Sequence, residues 1–380
     1  MTRAERTAGA EGEADPADLR SKIFSRKTLG RKTLARKKLA RKNLRPMSYA
    51  GVWLGLAAAL LFAFIISLAS GRYMVPLRHV ADILLARLVP LAPSWTATES
   101  IVVETVRLPR VLVAGFAGAG LALCGGVLQG IFRNPLVGPQ TIGAASGAAL
   151  GGAIAILFFG FGIAVEAGAF LGAAAALSFV LLLQQKDGQP PVLALVLAGV
   201  VVGAFCSALV GLVTFLADPE TKLPGIVFWL LGSFAAANWQ RAGLMAACTI
   251  GAGAILIGMR WRINALSLGD EEAKLLGLAP STDRLILLTA ICLIVSAQVA
   301  VSGTIGWIGL VVPNLARLVV GADHRRMLPV ATALGAIFMM IADTLARTLT
   351  PAEIPVGIVT AILGTPVFAY LLRKATTEGP

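Results

Sequence analysis

The 380-residue chain is 57% hydrophobic and only 14% charged, with a mean hydropathy of +0.81. A water-soluble fold of this length could not cover so much apolar surface, so the composition excludes a soluble enzyme and indicates a polytopic membrane protein. The net charge of +13 is held unevenly: residues 1–45 carry 14 Lys and Arg against 5 Asp and Glu, so the basic balance belongs to one tail and implies no nucleic-acid partner.

Cys124, Cys206, Cys248 and Cys292 lie far apart in apolar runs, without C-x-x-C or metal spacing, and read as small buried hydrophobes. His79 and His324 are the only histidines, too few for a His-based catalytic or metal site, and we assign neither. The chain has no G-x-x-x-x-G-K-[ST] loop, so if ATP drives this protein another polypeptide binds it, and no cofactor is expected on this chain.

In chain order, residues 1–48 form a basic tail, expected to be disordered and cytoplasmic. Its pentad repeat begins at Arg26, Arg31, Arg36 and Arg41. A five-residue period advances about 500° along a helix, so Leu29, Leu34, Leu39 and Leu44 spiral instead of forming one stripe, which argues against an amphipathic anchor. A polybasic stretch before the first span favours the anionic cytoplasmic leaflet.

From residue 49 to 374 the hydropathy pattern predicts an all-α membrane domain of about ten spans: 50–70, 109–132, 138–159, 162–183, 191–216, 241–259, 284–302, 305–320, 327–349 and 354–372. A polar segment with a short helix over 77–88 follows the first span. Residues 217–240 form an outer loop, whose apolar stretch 227–234 is too short to cross. The second span carries Gly115, Gly118, Gly120, Gly125, Gly126 and Gly130. In water so many glycines would undo a helix. In a bilayer the backbone keeps its own hydrogen bonds, and the glycines become flat faces for neighbouring helices.

Ten spans place both termini inside. Arg133, Lys186, Arg260, Arg262, Lys274, Arg325, Arg326, Arg373 and Lys374 then fall inside, as the positive-inside rule requires. Arg107, Arg110 and Arg347 fall outside, with Arg72, Arg78, Arg87 and Arg241. The inner loop 264–283 predicts two short capped helices. Asp270 is expected as a cap, Glu271 and Glu272 sit in the first turn, Leu275, Leu276 and Leu278 give an apolar side, and Gly277 suits the end. Pro280 stops the segment and Ser281 can cap the next. Glu166, Asp343 and Glu353 lie near the outer span ends, where interfacial placement is the expected reading. Without a chain of midplane carboxylates, the alternative of an ion-coupled secondary transporter is disfavoured.

Arg107-Leu-Pro-Arg110 and QGIFRNPL (129–136) are followed by IGAASGA (142–148) and SGTIGWIGLVVPNLARLVVGADHRRMLP (302–329), then IADTLAR (341–347) and EIPVGIVTAILGTPVFAYLL (353–372). In this order and spacing the motifs resemble the FecCD-type permease family of bacterial ABC importers for iron–siderophores, haem and cobalamin. The resemblance runs from about residue 50 to the C-terminal end. It implies a multi-pass protein of the bacterial cytoplasmic (inner) membrane that is not itself an enzyme. The expected assembly is a homodimer in membrane lipid, with two ATP-binding cassette subunits inside and a periplasmic or lipid-anchored substrate-binding protein outside. By the same resemblance, 264–283 holds the coupling helices for the ATPase, and Arg107, Arg110 and Arg347 are the docking residues for the binding protein.

Overall fold

The computed structural model describes residues 48–90, 92–183 and 192–377, all helix, turn or loop. The tail and Lys186 lie outside the described residues. The first helix, α1, is Tyr49–Ala69. A short α2 (Leu77–Leu85) follows, and α3 (Ala97–Ile101) runs through a π-turn at Val102–Arg107 into α4 (Leu108–Ile131). A 3₁₀ turn, Pro139–Ile142, precedes α5 (Ala144–Phe159), and then come α6 (Ile163–Leu182), α7 (Val192–Leu216) and the short α8 (Leu223–Leu230). The second half holds α9 (Trp239–Gly258), α10 (Arg260–Leu266), α11 (Asp270–Leu275), α12 (Pro280–Ser302), α13 (Ile308–Val320), α14 (His324–Thr348) and α15 (Val356–Thr377). Among the described residues seven helices are long and apolar enough to cross a membrane, and α5, α13 and most of α15 are shorter apolar helices.

One boundary differs from the sequence reading by a full three turns. Pro109 looks like a helix start, yet the helix begins at Ala97. Thr96 and Glu99 form a capping box, with Thr96 N–H donating to Glu99 Oε2 at 2.7 Å. Leu108 N–H then donates to Val103 O, five residues back. This widened turn carries the helix past a proline that has no N–H to give.

α4 is the helix around which the others assemble, and almost all of its residues are buried. It runs antiparallel to α14, with Gly118 against Gly335 and Gly126 against Leu328. A Cβ on Gly118 would overlap the Gly335 carbonyl and lie 2.5 Å from Met339 Cβ; one on Gly335 would lie 2.5 Å from Ala122 Cβ. On a second face, a Cβ on Gly125 would stand 2.7 Å from Gly309 Cα of α13, and on a third, one on Gly120 would stand 2.6 Å from Ile294 of α12. Gly130 closes against His324, with Nε2 at 2.5 Å from the same construction. Gly115 is different, since its nearest neighbour would be Met340 Sδ at 3.8 Å. Backbones meet directly where small residues face one another, which is how membrane helices gain dispersion contact without a hydrophobic drive.

Gly118→Ala is therefore expected to force α4 and α14 apart and cost about 1–3 kcal/mol. Gly115→Ala is expected to be neutral or slightly stabilising, as Ala is the better helix former by up to about 1 kcal/mol. Melting temperatures of the two variants in one detergent check the pair, and equal losses would contradict this account of the seam.

Candidate functional site

At the end of the bundle that carries the RLPR motif, side chains from the π-turn, α4, α14 and the segment before α15 close with the last carbonyls of α1 into one network. Arg110 donates through Nε and Nη2 to Asp343 at 2.9–3.1 Å, and through Nη1 to Glu353 at 3.0 Å. Arg347 Nε lies 3.5 Å from Asp343 and its Nη1 donates to Ser70 O at 2.9 Å, with Nη2 donating to Ser67 O. Arg107 Nη1 donates to Leu68 O at 2.7 Å and Ala69 O at 2.8 Å, and its Nη2 donates to Tyr73 O.

The network has three cations and two carboxylates, and the carbonyls absorb the excess. The last turn of a helix leaves its C=O groups without intrahelical donors at the negative end of the dipole. Arg107 and Arg347 supply those donors to α1 from two other helices. The three arginines are only 5%, 7% and 5% exposed, so the open guanidiniums expected at the outer face are not what the structure contains. Asp343, near the end of α14 as expected, is 1% exposed and ion-paired. Burial without a partner would be prohibitive for either charge, and the antiparallel seam provides the partner. Glu166, the third such carboxylate, pairs with Arg241 at 3.3 Å.

At the opposite end lie α10, α11 and the start of α12. Asp270 is the first residue of α11 and not its cap; the N-cap is Gly269, without a side-chain bond. The Asp270 carboxylate accepts instead from Arg284 of α12, with Nη1 to Oδ2 at 2.8 Å. That guanidinium holds the Asp270 carboxyl below the usual carboxylate range. Ser281 caps nothing either, because α12 starts at Pro280 with Ala279 as its N-cap. The end of α11 follows the sequence more closely. Gly277 sits at φ +79, its N–H donates to Lys274 O and the Leu278 N–H to Ala273 O, the paired bonds of a Schellman turn. Glu271, Glu272, Leu275 and Leu276 are exposed, Leu275 by 88%, while Leu278 is half-buried.

This end is tied to the seam by groups that sequence reasoning did not single out. Asn264 of α10 donates to Asp323 at 2.6 Å and accepts from His324 N–H at 3.0 Å. Asp323 caps α14, accepting from Arg325 N–H at 2.9 Å. Asn134 of the FRNPL motif accepts from Leu136 N–H at 2.9 Å, and Asn314 of VVPNLAR donates to Pro135 O at 3.3 Å, so the two motifs lock together. Among the described residues no group of His, Cys, Asp and Glu has the spacing to hold a metal ion.

The model of the FecCD transport family matches residues 59–374. The chain belongs to the FecCD transport family. The molybdate import system permease protein of Haemophilus influenzae is 42% identical over 337 residues, covering 88% of this chain and 99% of that one. An iron chelatin transport system permease protein of Helicobacter pylori is 45% identical over 276 residues, 72% of this chain and 83% of the relative. A solved structure of a metal-chelate type ABC transporter in an inward-facing conformation is 40% identical, with a TM-score of 0.76, covering 85% of this chain and 98% of that chain. The protein is thus a multi-pass ABC transporter permease subunit, not an enzyme, and ATP hydrolysis belongs to a separate subunit.

Asp343→Asn is expected to strip Arg347 of its carboxylate and leave Arg110 half-paired in a buried site, at a cost of about 3–5 kcal/mol. Thermal unfolding in detergent checks it; a loss below about 1 kcal/mol would mean the network is hydrated like a surface pair.

Proposed function

We propose that this chain forms, as a homodimer in the bacterial inner membrane with both termini cytoplasmic, the path through which an iron–siderophore crosses. Two ATPase subunits bind at the α11 end, and a substrate-binding protein delivers its load at the RLPR end. The observation that carries this reading is the pair of unlike ends in a chain of this family. One end presents a short helix closed by a Schellman turn, with Leu275 exposed, a shape with no use in a bare loop. The other holds buried arginines under a groove of about 690 Å³ lined by Ser70, Arg72, Arg347, Thr348 and Pro351.

Asp270 and Gly277 frame α11, so Glu271, Glu272, Leu275, Leu276 and Leu278 are the residues we assign to the ATPase contact. Arg107 and Arg110 shape the opposite face from beneath. Arg347, in the groove wall beside the exposed Arg72, is the one of the three that an acidic side chain of the binding protein reaches. An iron–siderophore is favoured by the iron chelatin relative and by the metal-chelate neighbour in structure. A molybdate-type oxyanion is the second reading, favoured by the match that spans 99% of the molybdate permease. Uptake of radiolabelled iron–siderophore against radiolabelled molybdate, in vesicles holding the full complex, decides between them.

Joint charge reversal, Glu271→Lys with Glu272→Lys, is expected to lower ATPase association or uncouple hydrolysis from uptake by about tenfold, leaving binding-protein docking intact. Arg72→Glu, an exposed change that spares the buried network, should weaken binding-protein association with a loss that fades at high salt. Wild-type assembly and uptake in the double reversal would return α11 to a plain loop. A salt-independent result at Arg72 would remove the groove from the docking face.

A further inference from the structure

Two of the shorter helices begin inside the bundle. At about 1.5 Å per residue α13 spans about 20 Å and α5 about 24 Å, against about 30 Å of hydrocarbon. The segments that lead into them share a tripeptide, Thr141-Ile142-Gly143 before α5 and Thr304-Ile305-Gly306 before α13. They also touch, since Gln140 Nε2 donates to Ile305 O at 3.4 Å and a Cβ on Gly306 would stand 2.8 Å from that nitrogen.

The backbone here is left short of partners. Among the described residues the N–H groups of Thr304, Ile305, Gly306 and Trp307 donate to no acceptor. Neither N-cap, Gly143 or Trp307, makes a side-chain bond to its helix. Non-helical backbone survives at membrane depth only when protein or water satisfies it. Beside the two segments lies a cavity of about 310 Å³, whose polar wall is Gln140, Ser146, Ser207, Gln298 and Thr304. Gln298 is 1% exposed and its amide nitrogen donates to Ser302 Oγ and Gly303 O, both at 2.9 Å, while its Oε1 has no partner among the described residues. Ser207 and Thr304 direct their hydroxyl hydrogens to Gly203 O and Leu230 O, so their lone pairs remain open. None of the lining residues is ionisable.

Unpaired amides beside unpaired oxygens, with no charge among them, match neither an anion nor a cation; they match water, which donates and accepts together. We propose that this cavity is a hydration site: a cluster of ordered water within each chain that satisfies the segment before α13 and lets it slip past the segment before α5 when α5 and α13 move. Cavities lined only by apolar groups stay dry, but a polar one holds water once each molecule finds two to four partners, and at about 30 Å³ per water this one has room for several. Because water exchanges partners quickly, the segments can shift without stranding an amide.

The test is a hydroxyl-radical pulse on the assembled wild-type complex in lipid, read by mass spectrometry. Leu121 and Val299 line the cavity at 3% and 1% exposure, whereas Leu123 and Leu128, at 1% and 0%, do not. Water in the cavity is expected to label the first pair about tenfold faster than the second. Equal labelling of the two pairs would overturn the proposal. Ala149→Leu and Ser207→Leu fill the space from α5 and α7; each is expected to erase the difference and slow uptake by about tenfold with ATPase assembly intact. If Ala149→Leu does not fold, Ser207→Leu and the wild-type footprint still decide. Uptake at the wild-type rate in a filled, unlabelled variant would overturn the slipping role.

Discussion

The contact on which the rest depends is the antiparallel meeting of α4 and α14 backbone to backbone. Gly118 and Gly335 bring the two main chains close enough that no side chain fits between them. That approach sets the register of everything else along both helices. At one extremity it brings Arg110 to Asp343, and at the other it lays Gly130 on His324. A single methyl group at the crossing would disturb both, since interiors packed like crystals do not yield by fractions of an ångström.

From that register follows the unusual economy of the RLPR end. α1 ends in carbonyls that its own helix cannot satisfy, and two arginines from elsewhere in the chain reach across to them. Arg347 also pairs with Asp343, which Arg110 shares and links to Glu353. Helix capping, charge pairing and helix packing are one structure here. At the far end the same function is shared by two side chains, as Asn264 joins α10 to the start of α14 and Arg284 joins α12 to α11.

Much of this was legible in the sequence, and what was not has a common cause. Hydropathy located the helices because a bilayer imposes a length on each, and Gly277 marked the end of α11 because only a left-handed residue closes that turn. The fate of Arg107, Arg110 and Arg347 was not legible from span ends alone, because burial depends on the facing helix. A signal was present all the same: Asp343 and Arg347 recur at i, i+4 on one helix, so the carboxylate lies on the face that carries Arg347 and can meet Arg110 of an antiparallel neighbour. The early start of the second span was announced by Thr96 and Glu99, but Pro109 is the louder signal and the π-turn that accommodates it has no sequence signature. The roles of Asp270 and Ser281 misled for a simpler reason, since a residue fit to cap can equally pair when Arg284 stands closer.

A seam made of main chain has a mechanical consequence. Side chains can change rotamer and absorb a push, whereas two backbones in van der Waals contact have nothing that can give. α4 and α14 therefore behave as one beam about 36 Å long, taking 24 residues of α4 at about 1.5 Å each. Asn264 grips the foot of α14, and the arginines hold its head. Beside it, the segments that lead into α5 and α13 have no such seam, and there the fold is free to bend.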